Sequence, residues 1–385
     1  MEVSRERVGA QNDIGSDSAK FDVSVSYSEI ESLIELALRA PSGDNCQPWR
    51  FTWNDNTLAI FYEQSLGQHA LANNNHATWL SLGCLIEALI IGASGLKLRL
   101  SERYDFANWK SAPVAILKFQ KQNMKTEALI SEIQRRKTVR LPYVETALPE
   151  DVIKLLQAEA SAFTTCDFSL KSEKPIEILD YLTFCDEFMW KNRKVATDFL
   201  KWVRTDQKEI ESHDDGMPWW TLGIQKAELV PIRIFRRYPK LIGLLWNLGF
   251  AKKMNQMTRT LALGQQALYC VAIKQTDAFH VMEAGRLAYR LWLTLSLEGY
   301  CVQPLSIPSM TGFDVEMGFP PPNTEESAIQ RFKSGYQKLR EFFAFSNEQY
   351  PVWMFRTGKV LGSTQQISTP RVNVHERLRV YTRDQ

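Results

Sequence analysis

No Cys-x-x-Cys pair occurs among the six cysteines, which stand at 46, 84, 166, 185, 270 and 301. That wide spacing argues against a zinc ribbon and a thioredoxin-like redox pair, and no metal site is expected. Reduced thiols in the cytoplasm fit best. Histidine is also scarce, five in 385 residues, and no Gly-x-Ser-x-Gly elbow is present, so a Ser-His-Asp hydrolase is disfavoured. An excess of one charge is missing too: 46 Lys and Arg against 44 Asp and Glu leave +2, which gives no bulk argument for a nucleic-acid partner. A local anion site stays compatible with that balance. Residues Met1–Arg7 become polar without the apolar run of a signal peptide. The most apolar tract, 241–250, is about ten residues long between Lys240 and Lys252, where a membrane span needs roughly twenty. It is expected to be buried or to cover an apolar cavity, without stable membrane insertion.

What is there is ordinary globular material, 44% hydrophobic and 23% charged, enough for two domains or one large core. Residues 1–27 read as a flexible polar arm. A Ser28-x-x-Glu31 capping box then opens a helix with Ile30, Leu33, Ile34, Ala37 and Leu38 on one face, and Pro41 stops it. The stretch from Ala40 to Phe51 follows, with Ser42, Asn45 and Gln47 offering polar groups to a planar ligand or to the loop's own backbone. Runs 50–53 and 57–62 predict a hairpin around Asn54-Asp55-Asn56. Residues 79–91 predict a central packing helix, and 96–100 and 114–119 predict strands. These complete a first α+β unit, 28–125.

A second unit, 126–360, begins with a basic helix over 129–140, followed by a helix after Pro149 with Val152, Leu155 and Leu156 on one side, and a strand at 167–170. The helical run 282–297 echoes 80–93, with Gly285 matching Gly83 and Gly299 matching Gly95, which points to a duplication. An insertion around 185–265 carries Trp190, Trp202, Trp219, Trp220 and Trp246. These aromatics either close a cofactor cleft or bury one another in a helical subdomain. The turn His213-Asp214-Asp215-Gly216 has no metal-ligand spacing and reads as an exposed turn. Residues 361–385 form a C-terminal arm.

Two local signals carry the chemistry. The loop from Ala40 to Trp49 reads Ala-Pro-Ser-Gly-Asp-Asn-Cys-Gln-Pro-Trp, and the cluster Arg135-Arg136-Lys137-Thr138-Val139-Arg140 can hold a phosphate through charge-assisted hydrogen bonds or lie on an ordinary surface. Together they resemble the FMN-dependent nitroreductase-like family, whose chains carry an Arg-Arg-Ser-x-Arg-like element and an Ala-Pro-Ser-x-x-Asn-x-Gln-Pro-Trp loop. In that family the two elements meet across a dimer interface around the flavin. Here they lie in opposite halves, and their reciprocal copies are eroded. The resemblance therefore implies a duplicated nitroreductase-like α+β fold, an intramolecular pseudo-dimer in a single chain, with one composite FMN site.

The residues the resemblance assigns to that site are Pro41, Ser42, Asn45 and Gln47 from the first half and Arg135, Arg136, Thr138 and Arg140 from the second. Gly299, in the turn 298–304, would approach the flavin ring, and Arg356, with Lys359 or Arg371, would add phosphate charge. No side chain is expected to act as a nucleophile or acid-base catalyst. FMN would carry electrons or hydride from NADH or NADPH to a nitroaromatic, quinone or related small-molecule acceptor. The alternative is a noncatalytic FMN-binding or flavin-storage protein whose insertion occludes the pocket.

Overall fold

The computed structural model describes residues 3–5, 24–71, 74–144, 146–362, 364 and 368–380, without the side chains of 3–5, 244, 245, 247 and 248. Most of the expected N-terminal arm and part of the C-terminal arm lie outside these residues. The first part of the chain runs β1 (Val3–Arg5), α1 (Tyr27–Ala37), β2 (Trp49–Asn54), β3 (Thr57–Tyr62), α2 (His76–Gly95), β4 (Leu98–Tyr104) and β5 (Ala115–Lys121). Next come α3 (Ile130–Arg135), α4 (Glu150–Ser161) and β6 (Cys166–Lys171). A mainly helical stretch holds α5 (Leu179–Lys191), α6 (Arg193–Trp202), β7 (Val203–Arg204), α7 (Gln207–Glu211), β8 (Met217–Pro218), α8 (Leu229–Arg237), α9 (Leu241–Leu245) and α10 (Ala251–Leu263). The chain closes with β9 (Ala267–Ile273), α11 (Ala278–Leu297), β10 (Cys301–Leu305), α12 (Gly312–Glu316), α13 (Glu326–Phe342), β11 (Tyr350–Gly358), α14 (Val374–Arg377) and β12 (Leu378–Val380).

The class is α+β. One sheet has the order β1-β4-β5-β3-β2-β12, a second has β10-β11-β9-β6, and β7 pairs with β8. Between β2 and β3, Asp55 and Asn56 both take positive φ, so a two-residue turn matches the strand twist and fixes Asn54 opposite Thr57. The start of α1 differs from the expected box. Ser26, not Ser28, is the N-cap, and Ser26 and Glu29 satisfy each other's backbone N–H. Leu155, expected on the inner side of α4, is exposed, while Val152 and Leu156 are buried.

Helices α2 and α11 cross at the centre. Nearly every residue of α2 is buried, so its length and apolarity, sufficient on paper for a bilayer span, serve the core. The crossing is backbone against backbone. A methyl group on Gly83 would lie 2.0 Å from the Met282 carbonyl oxygen, and one on Gly285 would lie 2.1 Å from that of Leu80. Each glycine thus meets the residue three positions before the other, a reciprocal contact that only a hydrogen side chain permits. Beside it, Arg286 Nε contacts Glu87 at 2.9 Å and Arg290 Nη1 contacts the same carboxylate at 2.6 Å. Arg286 also reaches Glu102 and Glu283, and Arg290 reaches Glu127 and Glu159, so one buried carboxylate anchors a network joining α2, α11, α4 and β4.

The helical stretch has a core of its own: Trp190, Ala196, Leu200, Phe235, Ile242 and Trp246 cluster apart from the main core. Two of the expected tryptophans, Trp190 and Trp246, are therefore buried in this local core, each edge-on to Phe250. At the far end of the chain, β12 adds to the first sheet, parallel to β2, with Leu378 opposite Phe51.

Candidate functional site

The loop between α1 and β2 is held in an unusual backbone conformation. Asp44, Asn45 and Gln47 all have left-handed φ, at 47°, 63° and 48°. Asp and Asn tolerate this region through local hydrogen bonding, but Gln does so at a cost, which the surroundings must offset. They do so locally: the Gln47 N–H donates to Ser42 Oγ at 2.9 Å, and the Gln47 carbonyl accepts from the Trp49 N–H at 2.9 Å.

The basic cluster does not form the expected helix over 129–140. Helix α3 ends at Arg135, and Arg136 turns out of it with ψ of 131°. The cause is a competing pairing: Thr138 bridges Val302 beside β10, and the Val139 N–H donates to the Val302 carbonyl. Two β-branched residues in an extended strip satisfy their backbone there better than in a lengthened helix.

The extended strip and the loop line one cleft of about 260 Å³. Pro41, Ser42 and Asn45 reach it from the first half and Arg136, Thr138 and Arg140 from the second. Arg39, Lys137 and Arg371 line it too, and Asp44 is the acid among its lining residues. Apolar and aromatic groups complete the walls, among them Trp292, Met310 and Trp353. Arg136 stacks over the Trp292 ring at 4.5 Å and donates to the Arg39 carbonyl at 3.0 Å. Its Nε is buried without a hydrogen-bond partner among the described residues, as is Nε of Arg371. Burial holds the guanidinium pKa values of Arg136, Arg140 and Arg371 below the usual range, and for Arg371 the neighbouring Arg136 and Arg39 act in the same direction. Clustered, desolvated cations with donors left over are an environment that favours a bound anion.

The other expected site residues stand elsewhere. Arg135 is exposed on α3 and pairs with Glu132 at 3.1 Å. Gln47 is buried beneath the loop. Gly299, with φ of 77°, caps α11, where its N–H donates to the Ser296 carbonyl and the Tyr300 N–H to that of Leu295. Arg356 is fully buried, stacked on Tyr143 at 4.1 Å, and donates to Gln303 Oε1 and the Leu141 carbonyl. None of these four is among the residues lining the cleft.

Two distant segments clasp the loop. From the helical stretch, the Gly216 carbonyl accepts from Asn45 Nδ2 at 3.1 Å, the Asp214 carbonyl from Gln47 Nε2 at 2.8 Å, and the Thr221 carbonyl from Arg140 Nη1 at 2.8 Å. The turn His213-Asp214-Asp215-Gly216 is thus a fastening, and Met217 and Thr221 after it line the cleft. From the C-terminal tail, the Pro370 carbonyl accepts from Asn45 Nδ2 at 3.0 Å, Arg371 Nη1 donates to Asn45 Oδ1 at 2.6 Å, and the Val372 N–H donates to Gln47 Oε1 at 3.0 Å. Sequence patterning gives no sign of either clasp.

His69 was equally hidden in the sequence. Its Nδ1 lies 3.2 Å from Asp44 Oδ2 and its ring packs on Trp202 at 4.9 Å. Burial alone would push its pKa down, but the Asp44 carboxylate and the Cys46 sulfur outweigh that and raise it to about 10.

No protein-family model matches the chain. Part of it is similar in sequence to a relative described as a putative nitroreductase. A putative NAD(P)H nitroreductase named acg, from two strains of Mycobacterium tuberculosis, is 30% identical over 129 residues, which cover 32% of this chain and 38% of the relative. The chain thus matches little more than a third of those curated relatives' length. Among solved structures, the FMN-dependent nitroreductase NfnB from Mycobacterium smegmatis in complex with NADPH is 13% identical, with 66% of this chain and 96% of that one covered and a TM-score of 0.36. A nitroreductase with bound FMN from Bacteroides fragilis is 10% identical, with 63% and 96% covered and a TM-score of 0.32.

Proposed function

We propose that the chain binds FMN in this cleft and acts as an oxidoreductase, passing electrons or hydride from NADH or NADPH to a nitroaromatic, quinone or related small acceptor. The observation that carries the reading is the convergence of buried Arg136 and half-buried Arg140 and Arg371 on one cleft, with Nε of Arg136 and of Arg371 unpartnered among the described residues. A phosphate monoester supplies the acceptor oxygens these groups lack. Arg136, Arg371 and Arg140 would hold the phosphate, helped by the hydroxyls of Ser42 and Thr138. Pro41 and the apolar and aromatic walls suit a flat ring system. When bound, FMN supplies the redox chemistry, and the protein's contribution is to bind it, orient it and limit water around it. The reciprocal contact of Gly83 and Gly285 supports reading the chain as a duplicated nitroreductase-like unit, a monomer that forms its own pseudo-dimer. Six cysteines without a disulfide agree with a cytoplasmic setting.

A second reading has its own observation. Asn45 and Gln47 spend their side-chain hydrogen bonds on the helical stretch and the tail. Such a clasped pocket favours FMN binding or storage without turnover. The absorption spectrum of the purified protein and anaerobic addition of NADH and NADPH separate the readings. Bleaching of bound flavin by either donor is expected for the oxidoreductase. Bound FMN that neither donor reduces would favour storage, and failure to take up added FMN would overturn both.

A further inference from the structure

Helix α8 carries two apolar faces. Phe235, 2% exposed, points into the local core, while Val230, Ile234 and Tyr238 are 60%, 40% and 58% exposed. Their spacing of four residues sets them in a stripe along the helix and its C-terminal end. Met257 on α10 is a further exposed apolar side chain of the same helical stretch. Isolated exposed apolar residues are ordinary on a protein surface, but a stripe embedded in cations is not.

The charge around the stripe is one-sided. Residues 226–259 contain eight Lys and Arg against one acid, Glu228, in a chain whose total is only +2, so the remainder of the chain is net acidic. Some of these cations are engaged inside the subdomain: Arg233 donates to the Thr205 carbonyl and Arg236 to Glu209, while Lys253 pairs with Glu228. Arg237 and Lys240 flank Tyr238, are exposed, and have no ion-pair partner among the described residues. Lys252 is exposed as well.

We infer that this face of the helical stretch is a docking surface for an anionic lipid bilayer, on which α8 lies without crossing. Nine residues are too few to span. Exposed aliphatic side chains, a tyrosine and adjacent cations match an interfacial helix: the apolar groups enter the boundary between headgroups and acyl chains while the cations meet lipid phosphates. A nucleic acid would use the cations and leave the apolar stripe without a role. An acidic protein would have to supply both complementary charge and an apolar groove. The inference stands independently of the flavin reading.

The test is co-sedimentation of the full-length protein with phosphatidylcholine vesicles, with and without phosphatidylglycerol. Binding is expected only with the anionic lipid and should fall as salt is raised, because exposed charges are screened. The variant Arg237→Glu/Lys240→Glu should lose about tenfold or more in vesicle partition, since each basic residue near such a surface is worth roughly a fivefold factor. Ile234→Ser should weaken partition at unchanged charge. Both changes are on exposed positions, and an unchanged circular dichroism spectrum verifies the fold. Equal recovery with neutral and anionic vesicles, or variants that bind as the parent does, would overturn the proposal. So would a lipid-independent dimer abolished by Ile234→Ser, or RNA binding that ignores that substitution.

Discussion

Arg135 and Arg136 are adjacent, yet one side chain lies in solvent beside Glu132 and the other is buried on Trp292 in the cleft. Replacing Arg136 with Gln should weaken FMN by about tenfold or more, because a charge-assisted hydrogen bond is worth roughly 1.5–3 kcal/mol. Arg135→Gln should leave the affinity unchanged. Titration of FMN fluorescence against each variant checks this, and equal losses would remove the phosphate role from Arg136. The contrast also shows what residue order conveys. The pattern of bases gives the expectation of an anion site, but which guanidinium turns inward depends on where α3 stops, and that is set by pairing with Val302, over 160 residues away in the chain. Arg39 borders the loop in sequence but was not among the expected site residues. Of the three late cations expected to add phosphate charge, Arg371 lines the cleft while Arg356 does not, and His69 reaches it only through tertiary structure.

The α2–α11 crossing leaves no room for a side-chain methyl at either glycine. Gly83→Ala and Gly285→Ala should each destabilise by about 1–3 kcal/mol or more through overpacking. The double substitution should cost less than the two singles together, because helices parted by one methyl already have space for the other. Urea unfolding of the four proteins measures this, and strict additivity would count against a shared contact. Both helices were legible from long apolar runs at helical spacing, α2 being apolar on nearly every side as a buried helix is, and so were the β2–β3 hairpin and β6. Element ends were less so. The capping box lay two residues before the expected one, because Ser26 and Ser28 are both plausible caps and only the N–H geometry distinguishes them. The inner helix of the basic cluster was shorter than its composition suggested, for the pairing reason above.

Taken as a whole, the molecule is tied together by segments far apart in the chain. Strand β12 joins the first sheet, and residues 370–372 bond to Asn45 and Gln47. Deleting residues 368–385 should loosen the loop at 41–47 and lower the melting temperature, since three side-chain hydrogen bonds and a strand pairing are lost. Hydrogen exchange at residues 45–49 is the direct measure, and unchanged protection there would show that the tail does not hold the loop. In sequence, residues 361–385 read only as a C-terminal arm. Its order comes from partners, not from its own propensity.

The clasp of Asp214, Gly216 and Thr221 over Asn45, Gln47 and Arg140 separates how tightly a ligand is held from how fast it exchanges. If the helical stretch must lift for a ligand to pass, three side-chain hydrogen bonds, each worth about 0.5–1.5 kcal/mol, open together. Their rupture adds to the barrier in both directions and leaves the equilibrium constant untouched when the same bonds re-form over the ligand. A cleft gated this way would equilibrate slowly. A flavin acquired once, during folding or soon after, would remain through many encounters with smaller molecules, and residence time is then a property of the roof and not of the floor.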